Sequence, residues 1–361
     1  MNWRRIVLFG LVALFGVIFI TQIGDITELI GALRQGRPIW IVIALAVQLL
    51  WFLNQVALYQ SLYRLLDLPA RIRQLLPIVL ASNFVNFATP TASLGAVPLF
   101  VDDAQQRGLD AGRVTLTNVL RLLLNLLWFS LLLAFSLTML YIWHRLKTYH
   151  IIAASILLAT ALLMAAGLVL AGWWPDRLAR LLAWLAKLLN QLGQRVLHRD
   201  LLTEERASDF AQEFGAAAGA LWAGRSKLAR PWLHVMFFDV LEMGVLYITL
   251  LAFPSGGEHV SLAMLVTAYS IGVLFSVVAI TPQGVGAVEG LLVAAFMSLG
   301  LPMGRAAVVV LAYRGMSFWL PLLVGFAALR WVRGIGKPSA EPGTETEIRP
   351  DLNSAANIPV K

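Results

Sequence analysis

The chain has no cysteine among its 361 residues. That excludes disulfides, thiolate metal sites and cysteine nucleophiles, and it leaves the redox compartment undetermined. Charge is also scarce: 13% of residues are Asp, Glu, Lys or Arg, against 59% hydrophobic. A soluble domain carries roughly 25% charged and 45–50% apolar residues. Too little charge is left to cover a water-facing surface. Mean hydropathy is +0.77, and several apolar runs exceed the roughly 20 residues needed to cross a bilayer. These runs are continuous, not alternating in segments of about ten, which argues against a transmembrane β-barrel. The composition predicts an all-α, polytopic integral membrane protein.

Signatures of catalysis are equally sparse. The five histidines, His144, His150, His198, His234 and His259, show no H-E-x-x-H or other close metal spacing. There is no P-loop and no G-x-S-x-G. No metal, no cofactor and no enzymatic activity are expected. Asp102-Asp103 is an acidic pair at a loop, a weak sign of a metal-dependent transferase. The net charge of +8 bears on topology more than on nucleic acid, since Lys and Arg gather at the ends of apolar runs as the positive-inside rule expects. Nucleic acid is therefore not an expected partner.

Hydropathy places about eight spans, at 6–23, 39–62, from about 77, 114–143, 151–173, 232–253, 262–280 and 305–332. The start, MNWRR before an apolar run, resembles a signal peptide without an A-x-A-like cleavage site, and reads as an uncleaved first span. Residues 25–37 carry apolar side chains at helical spacing, as in a short interfacial helix. Pro38 suits the first turn of the next span. Arg64, Arg71 and Arg73 form a basic loop, read as cytoplasmic. Residues 176–230 hold nine Lys/Arg against six Asp/Glu and fit an amphipathic excursion on an anionic leaflet or on the protein's own loops. The transmembrane domain is thus placed at 1–336. The tail, 337–361, is poor in large apolar residues and expected to be disordered.

Two stretches break the pattern, 83–98 and 281–301. Both are rich in Gly, Pro and polar residues, which hydrocarbon tolerates only where protein or a water-filled cavity satisfies the freed backbone. Both are read as re-entrant. If both re-enter beside eight spans, the basic 176–230 excursion falls on the outer side; if one crosses, the parity changes.

The two breaks also resemble each other. Thr89-Pro90 with Leu94-Gly95-Ala96-Val97 parallels Thr281-Pro282 with Val285-Gly286-Ala287-Val288. Gly108-Leu109 and Gly112-Arg113 parallel Gly300-Leu301 and Gly304-Arg305, while Arg121 and Trp128 echo Arg314 and Trp319. The offset stays at 191–193 residues. An internal repeat is inferred, with cores at about 77–143 and 262–332. In duplicated transporters the substrate site lies near the midplane, at the repeat interface, among discontinuous helices.

Ionisable residues inside spans are costly and by default functional candidates. Arg314 and Arg121 are candidate bidentate partners for a phosphate or carboxylate; the alternative is snorkelling or a structural pair. Asn118, Arg121 and Asn125 share one helical face. Glu289, after Gly284 and Gly286, is a candidate cation or proton site, a capping carboxylate or a partner of Arg314. Asp239 and Glu242 are three apart on one face and are candidates for proton or ion coupling. Asn83, Asn86 and Gln283 are expected to satisfy loose backbone groups.

The run Pro282-Gln283-Gly284-Val285-Gly286-Ala287-Val288-Glu289-Gly290, then Ala312-Tyr313-Arg314, then Phe318-Trp319-Leu320-Pro321, resembles the lysylphosphatidylglycerol synthase transmembrane-region family, also called uncharacterised protein family 0104 or flippase-like domain proteins. The resemblance implies a multi-span domain that, in the bifunctional synthases, moves aminoacylated lipid between leaflets. It maps Gly284, Gly286, Glu289, Tyr313 and Arg314 onto the family motif. Two departures stand out: Gln283 where Gly is common, and Ala96 where many relatives carry Glu. The aminoacyl-transferase domain is absent, so lysyl-lipid synthesis is not expected.

The resulting expectation is a flippase or transporter of a lipid with a phosphate-bearing headgroup, in a cell membrane, the bacterial inner membrane by preference. Two alternatives are a scaffold or regulator of an envelope-lipid enzyme such as a glycosyltransferase, and a lipid-modifying enzyme using Asp102, Asp103 or Glu289.

Overall fold

A computed structural model describes residues 36–89, 95–174, 225–253, 260–278, 282–298 and 300–332, with a few positions between 180 and 219. The expected first span, nearly all of the interfacial segment, most of the 176–230 excursion and the tail lie outside the described residues. All regular structure among the described residues is helical. Five helices are long and apolar enough to cross a membrane: α1 (Pro38–Leu65), α4 (Ala111–Ile142), α5 (Thr148–Trp173), α6 (Ala229–Ala252) and the composite Met303–Leu329. The last comprises α9 (Met303–Arg314), a π-helical turn (Gly315–Trp319) and α10 (Leu320–Leu329). Four shorter helices complete the set: α2 (Ile72–Ala88), α3 (Val97–Gln106), α7 (Leu262–Val278) and α8 (Ala287–Ser298).

The short helices form two hairpins. Helix α2 runs inward and α3 returns, bringing the Arg107 side chain back to the carbonyl of Gln74 at 3.0 Å. Phe100 of α3 stacks on Tyr59, two turns from the C-terminus of α1 (ring centroids 4.7 Å). Helices α7 and α8 do the same from the other end. Gly272 faces Leu292 midway along the pair, and the C-terminal carbonyl of Ser298 is held by Arg145 just past α4. Both hairpins are re-entrant, as the broken sequences predict, and they enter from opposite ends of the bundle.

The expected third and seventh spans fall on the inward arms of the hairpins. Each has 17 residues, about 25 Å at 1.5 Å per residue, and neither is among the five helices long and apolar enough to cross a membrane on their own. Helices α1 and α6 are antiparallel, joined by Arg37 N–H to the Ala252 carbonyl (2.9 Å) and by a paired contact between Asn54 and His234 (2.8 Å). The N-terminus of α6 therefore sits beside the C-terminus of α1, and residues 225–230 lie at the arginine-rich end, with Arg64, Arg71 and Arg73.

Local chemistry fixes the element ends. Pro38 opens α1, where its missing N–H costs nothing. Asp110 caps α4, its carboxylate accepting from Arg113 N–H at 2.9 Å. Helix α10 lies against α2 so closely that a Cβ on Gly325 would stand 2.6 Å from Phe84 N and 2.8 Å from Leu80 O. Phe87–Phe318 and Phe84–Phe326 ring contacts extend this seam.

Because the chain lacks cysteine, single introduced cysteines report sidedness without background. Asp67→Cys, Gln106→Cys and Lys227→Cys should react with an impermeant maleimide from one side of sealed vesicles, and Lys147→Cys from the other. Gln106→Cys reacting with the Lys147 group would show that α2 and α3 cross together.

Candidate functional site

Each hairpin has a non-helical tip that needs its backbone groups satisfied. In the first, Asn86 Oδ1 accepts the N–H of Ala96 at 3.0 Å, and Asn83 exchanges two amide hydrogen bonds with Gln55 (2.8 and 3.0 Å). Asn86 thus satisfies a loose backbone group, as expected, whereas Asn83 pairs with a side chain of α1. In the second tip Gln283, Gly284 and Gly286 take positive φ of 50°, 68° and 88°, a region that costs glycine little and Gln283 more. The Gly286 N–H donates to Glu289 Oε2 at 2.7 Å.

Arg314 closes that tip. Its Nε donates to Glu289 Oε1 at 2.6 Å and its Nη2 to the carbonyl of Gln283 at 3.3 Å. Its guanidinium also lies 4.7 Å from the Phe318 ring centroid. Glu289 sits in the first turn of α8, where the helix dipole favours an anion. Among the readings left open for Glu289, the geometry combines the cap and the ion pair. The side chains are 9% (Arg314) and 22% (Glu289) exposed.

A cavity of about 170 Å³ lies between the hairpins, α1, α4, α6 and α9. Arg121, Asn125, Asp239, Glu242, Tyr313 and Arg314 all face it. Arg121 is ten residues past the start of α4 and Arg314 eleven past the start of α9, from opposite ends. At 1.5 Å per residue each stands about 15–17 Å deep, near the middle of a core about 30 Å thick. The π-helical turn after Arg314 carries Ser317 and Phe318 onto the same wall; such turns recur at functional sites.

The wall is mixed in charge. Two guanidinium groups face Asp239 and Glu242 across one small volume. Tyr269 donates to Asp239 Oδ1 at 2.5 Å. The indole N–H of Trp51 lies beside Glu242 and that of Trp128 beside Asp239. With two carboxyl and two guanidinium groups on its lining, the cavity favours a polar occupant over a hydrocarbon chain.

Other candidates fall elsewhere. Asn118 turns to Tyr59, accepting its hydroxyl at 3.0 Å and donating to Val114 O. Gly284 and Gly286 shape the tip without facing the cavity. Asp103 is paired with Arg107 (2.9 Å) near the end of α3, and neither Asp102 nor Asp103 lines the cavity. Among the described residues no group of three His, Cys, Asp or Glu could hold a metal. Tyr269 and Trp51 were not singled out by the sequence, where each reads as one more aromatic in an apolar run.

Long apolar helices and two oppositely inserted hairpins around a charged cavity define a polytopic helical membrane protein. Residues 6–325 match the family described as the lysylphosphatidylglycerol synthase TM region, and the chain belongs to that family. It is 22% identical over 343 residues to a UPF0104 membrane protein of Methanothermobacter thermautotrophicus, covering 90% of this chain and 94% of that one. It is 31% identical over 100 residues to the UPF0104 membrane protein MJ1595 of Methanocaldococcus jannaschii, covering 27% and 28%. Membership carries a multi-pass membrane location and a membrane-lipid-related role; with relatives in archaea, it does not single out a bacterial inner membrane.

Glu289→Gln should lower the unfolding free energy in detergent by about 1–3 kcal/mol, because it leaves Arg314 without its charged partner. The double variant with Arg314→Gln should lose less than the sum of the two single changes. Thermal or denaturant unfolding of the four proteins measures this; additive losses would mean that the pair is not coupled.

Proposed function

We propose that the protein moves a lipid with a phosphate-bearing headgroup between the leaflets, without a covalent step. The observation that carries this reading is the meeting of Arg121 and Arg314 at one midplane cavity, each delivered by the half of the molecule entering from its own end. Two guanidinium groups offer bidentate donors to phosphate oxygens. Acyl chains would stay in hydrocarbon while only the headgroup passes through the polar cavity. Movement would follow from exposing the cavity first to one end and then to the other, with the hairpins as the elements that shift.

Within this reading the residues divide the work. Arg314 is positioned by Glu289 and the Gln283 carbonyl, so its remaining donors are oriented in advance. Asn125 and Tyr313 add neutral polar contacts on the same wall. Asp239 and Glu242 supply a place on the same wall for a proton or a cationic group to travel with the headgroup. The driving force would be an ion gradient or the imbalance of lipid between leaflets.

Leaflet exchange of headgroup-labelled phospholipids in proteoliposomes tests the proposal. The intact protein should exchange at least one anionic phospholipid. Arg314→Ala and Arg121→Ala should each slow it about tenfold or more, the loss expected for a charge-assisted hydrogen bond of about 1.5–3 kcal/mol. Equal exchange by all three proteins, or none across a broad lipid panel, would favour the scaffold reading.

A further inference from the structure

A second polar site lies at the arginine-rich end, away from the central cavity. Two open clefts, of about 570 and 770 Å³, adjoin there and share Gln60 and Arg64 of α1. The first is completed by Arg71, Ile72 and Arg73 at the start of α2. The second is completed by Lys227, Arg230 and His234 at the start of α6. Three separate stretches of chain thus bring five Lys/Arg to one concave surface. No Asp or Glu lines either cleft, and none of the five cations makes an ion pair among the described residues.

The surface is built. Gln60 donates to the carbonyl of Ala70 at 2.8 Å, which fixes the turn bearing Arg71 against α1. The ring of His234 is locked by Asn54, which contacts its Nδ1 at 2.8 Å and donates to its backbone carbonyl. The clefts also run directly onto hydrocarbon-facing surface: Ile72, Leu233 and Phe237 are each more than half exposed. A free anion would find no use for that apolar border, whereas a lipid uses both parts.

We infer that these clefts form a docking site for the headgroup of a membrane lipid carrying a phosphomonoester or a pyrophosphate. Five cations with no ion pair among the described residues exceed what a singly charged phosphodiester can neutralise, so the multiply charged headgroup is the better match. The positive-inside rule accounts for basic residues at this end, but it requires neither their convergence on a concavity nor any preference among anionic lipids. The site stands apart from the central cavity and does not depend on translocation through it.

The test is native mass spectrometry of the full-length protein in detergent, titrated with phosphatidic acid, phosphatidylglycerol or phosphatidylcholine. Phosphatidic acid should be retained about fivefold more tightly than phosphatidylglycerol, the gain of about one further charge-pair interaction at a membrane surface. Arg64→Gln, Arg71→Gln and Arg230→Gln combined should abolish that preference, and the corresponding triple lysine variant should restore it, which separates charge from misfolding. Arg314→Ala should keep it, which separates this site from the central one. Wild-type retention by the glutamine triple, no preference for the phosphomonoester, or displacement by glycerol 3-phosphate at equal concentration would each overturn the proposal, the last by showing a soluble-anion site.

Discussion

The contact between Arg314 and Glu289 holds the centre of this molecule together. A guanidinium near the middle of a bilayer must have a counter-charge and must spend its donors. Arg314 does both at once, meeting Glu289 at 2.6 Å and the Gln283 carbonyl at 3.3 Å. Glu289 in turn satisfies the Gly286 N–H. One side chain thereby ties a long span to the tip of a re-entrant hairpin and satisfies its non-helical backbone. The cavity is shaped by what that contact leaves in place.

The same demand for satisfied backbone groups explains why the two tips look different in detail. The first is closed by amides, with Asn86 reaching Ala96 and Asn83 paired to Gln55. The second is closed by charge and by departures into positive φ at Gln283, Gly284 and Gly286. Both solutions serve a chain that turns back before crossing. The long spans need no such devices, and their polar side chains mostly bond one turn back along the same helix, as Thr117, Ser130 and Thr249 do.

Much of this was legible from residue order. Gly and Pro punctuation located both hairpins, and the rule that charge is expensive in hydrocarbon picked out Arg121, Arg314, Asp239 and Glu242, which the fold brings to one cavity. The pairing of the short helices was not legible. Residues 72–88 and 262–278 are apolar enough to pass for spans, and only the return of α3 and α8 shows them to be hairpin arms. Tyr269 was hidden for a related reason: its hydroxyl matters because Asp239 of another helix lies opposite, and no spacing within α7 records that partner. Asn118 erred the other way, sharing a helical face with Arg121 yet turning to Tyr59.

The two halves are alike in layout but unequal in one atom group. At the place where the second tip carries Glu289, the first carries Pro98, which has no carboxylate to offer. The hold that Glu289 gives Arg314 therefore cannot be copied onto Arg121 by the same position of the repeat. If the halves trade roles as the proposed translocation requires, the two states differ in free energy by part of that contact. The orientation that keeps it is then the resting one, and a ligand or an applied gradient must supply the difference before the other becomes populated.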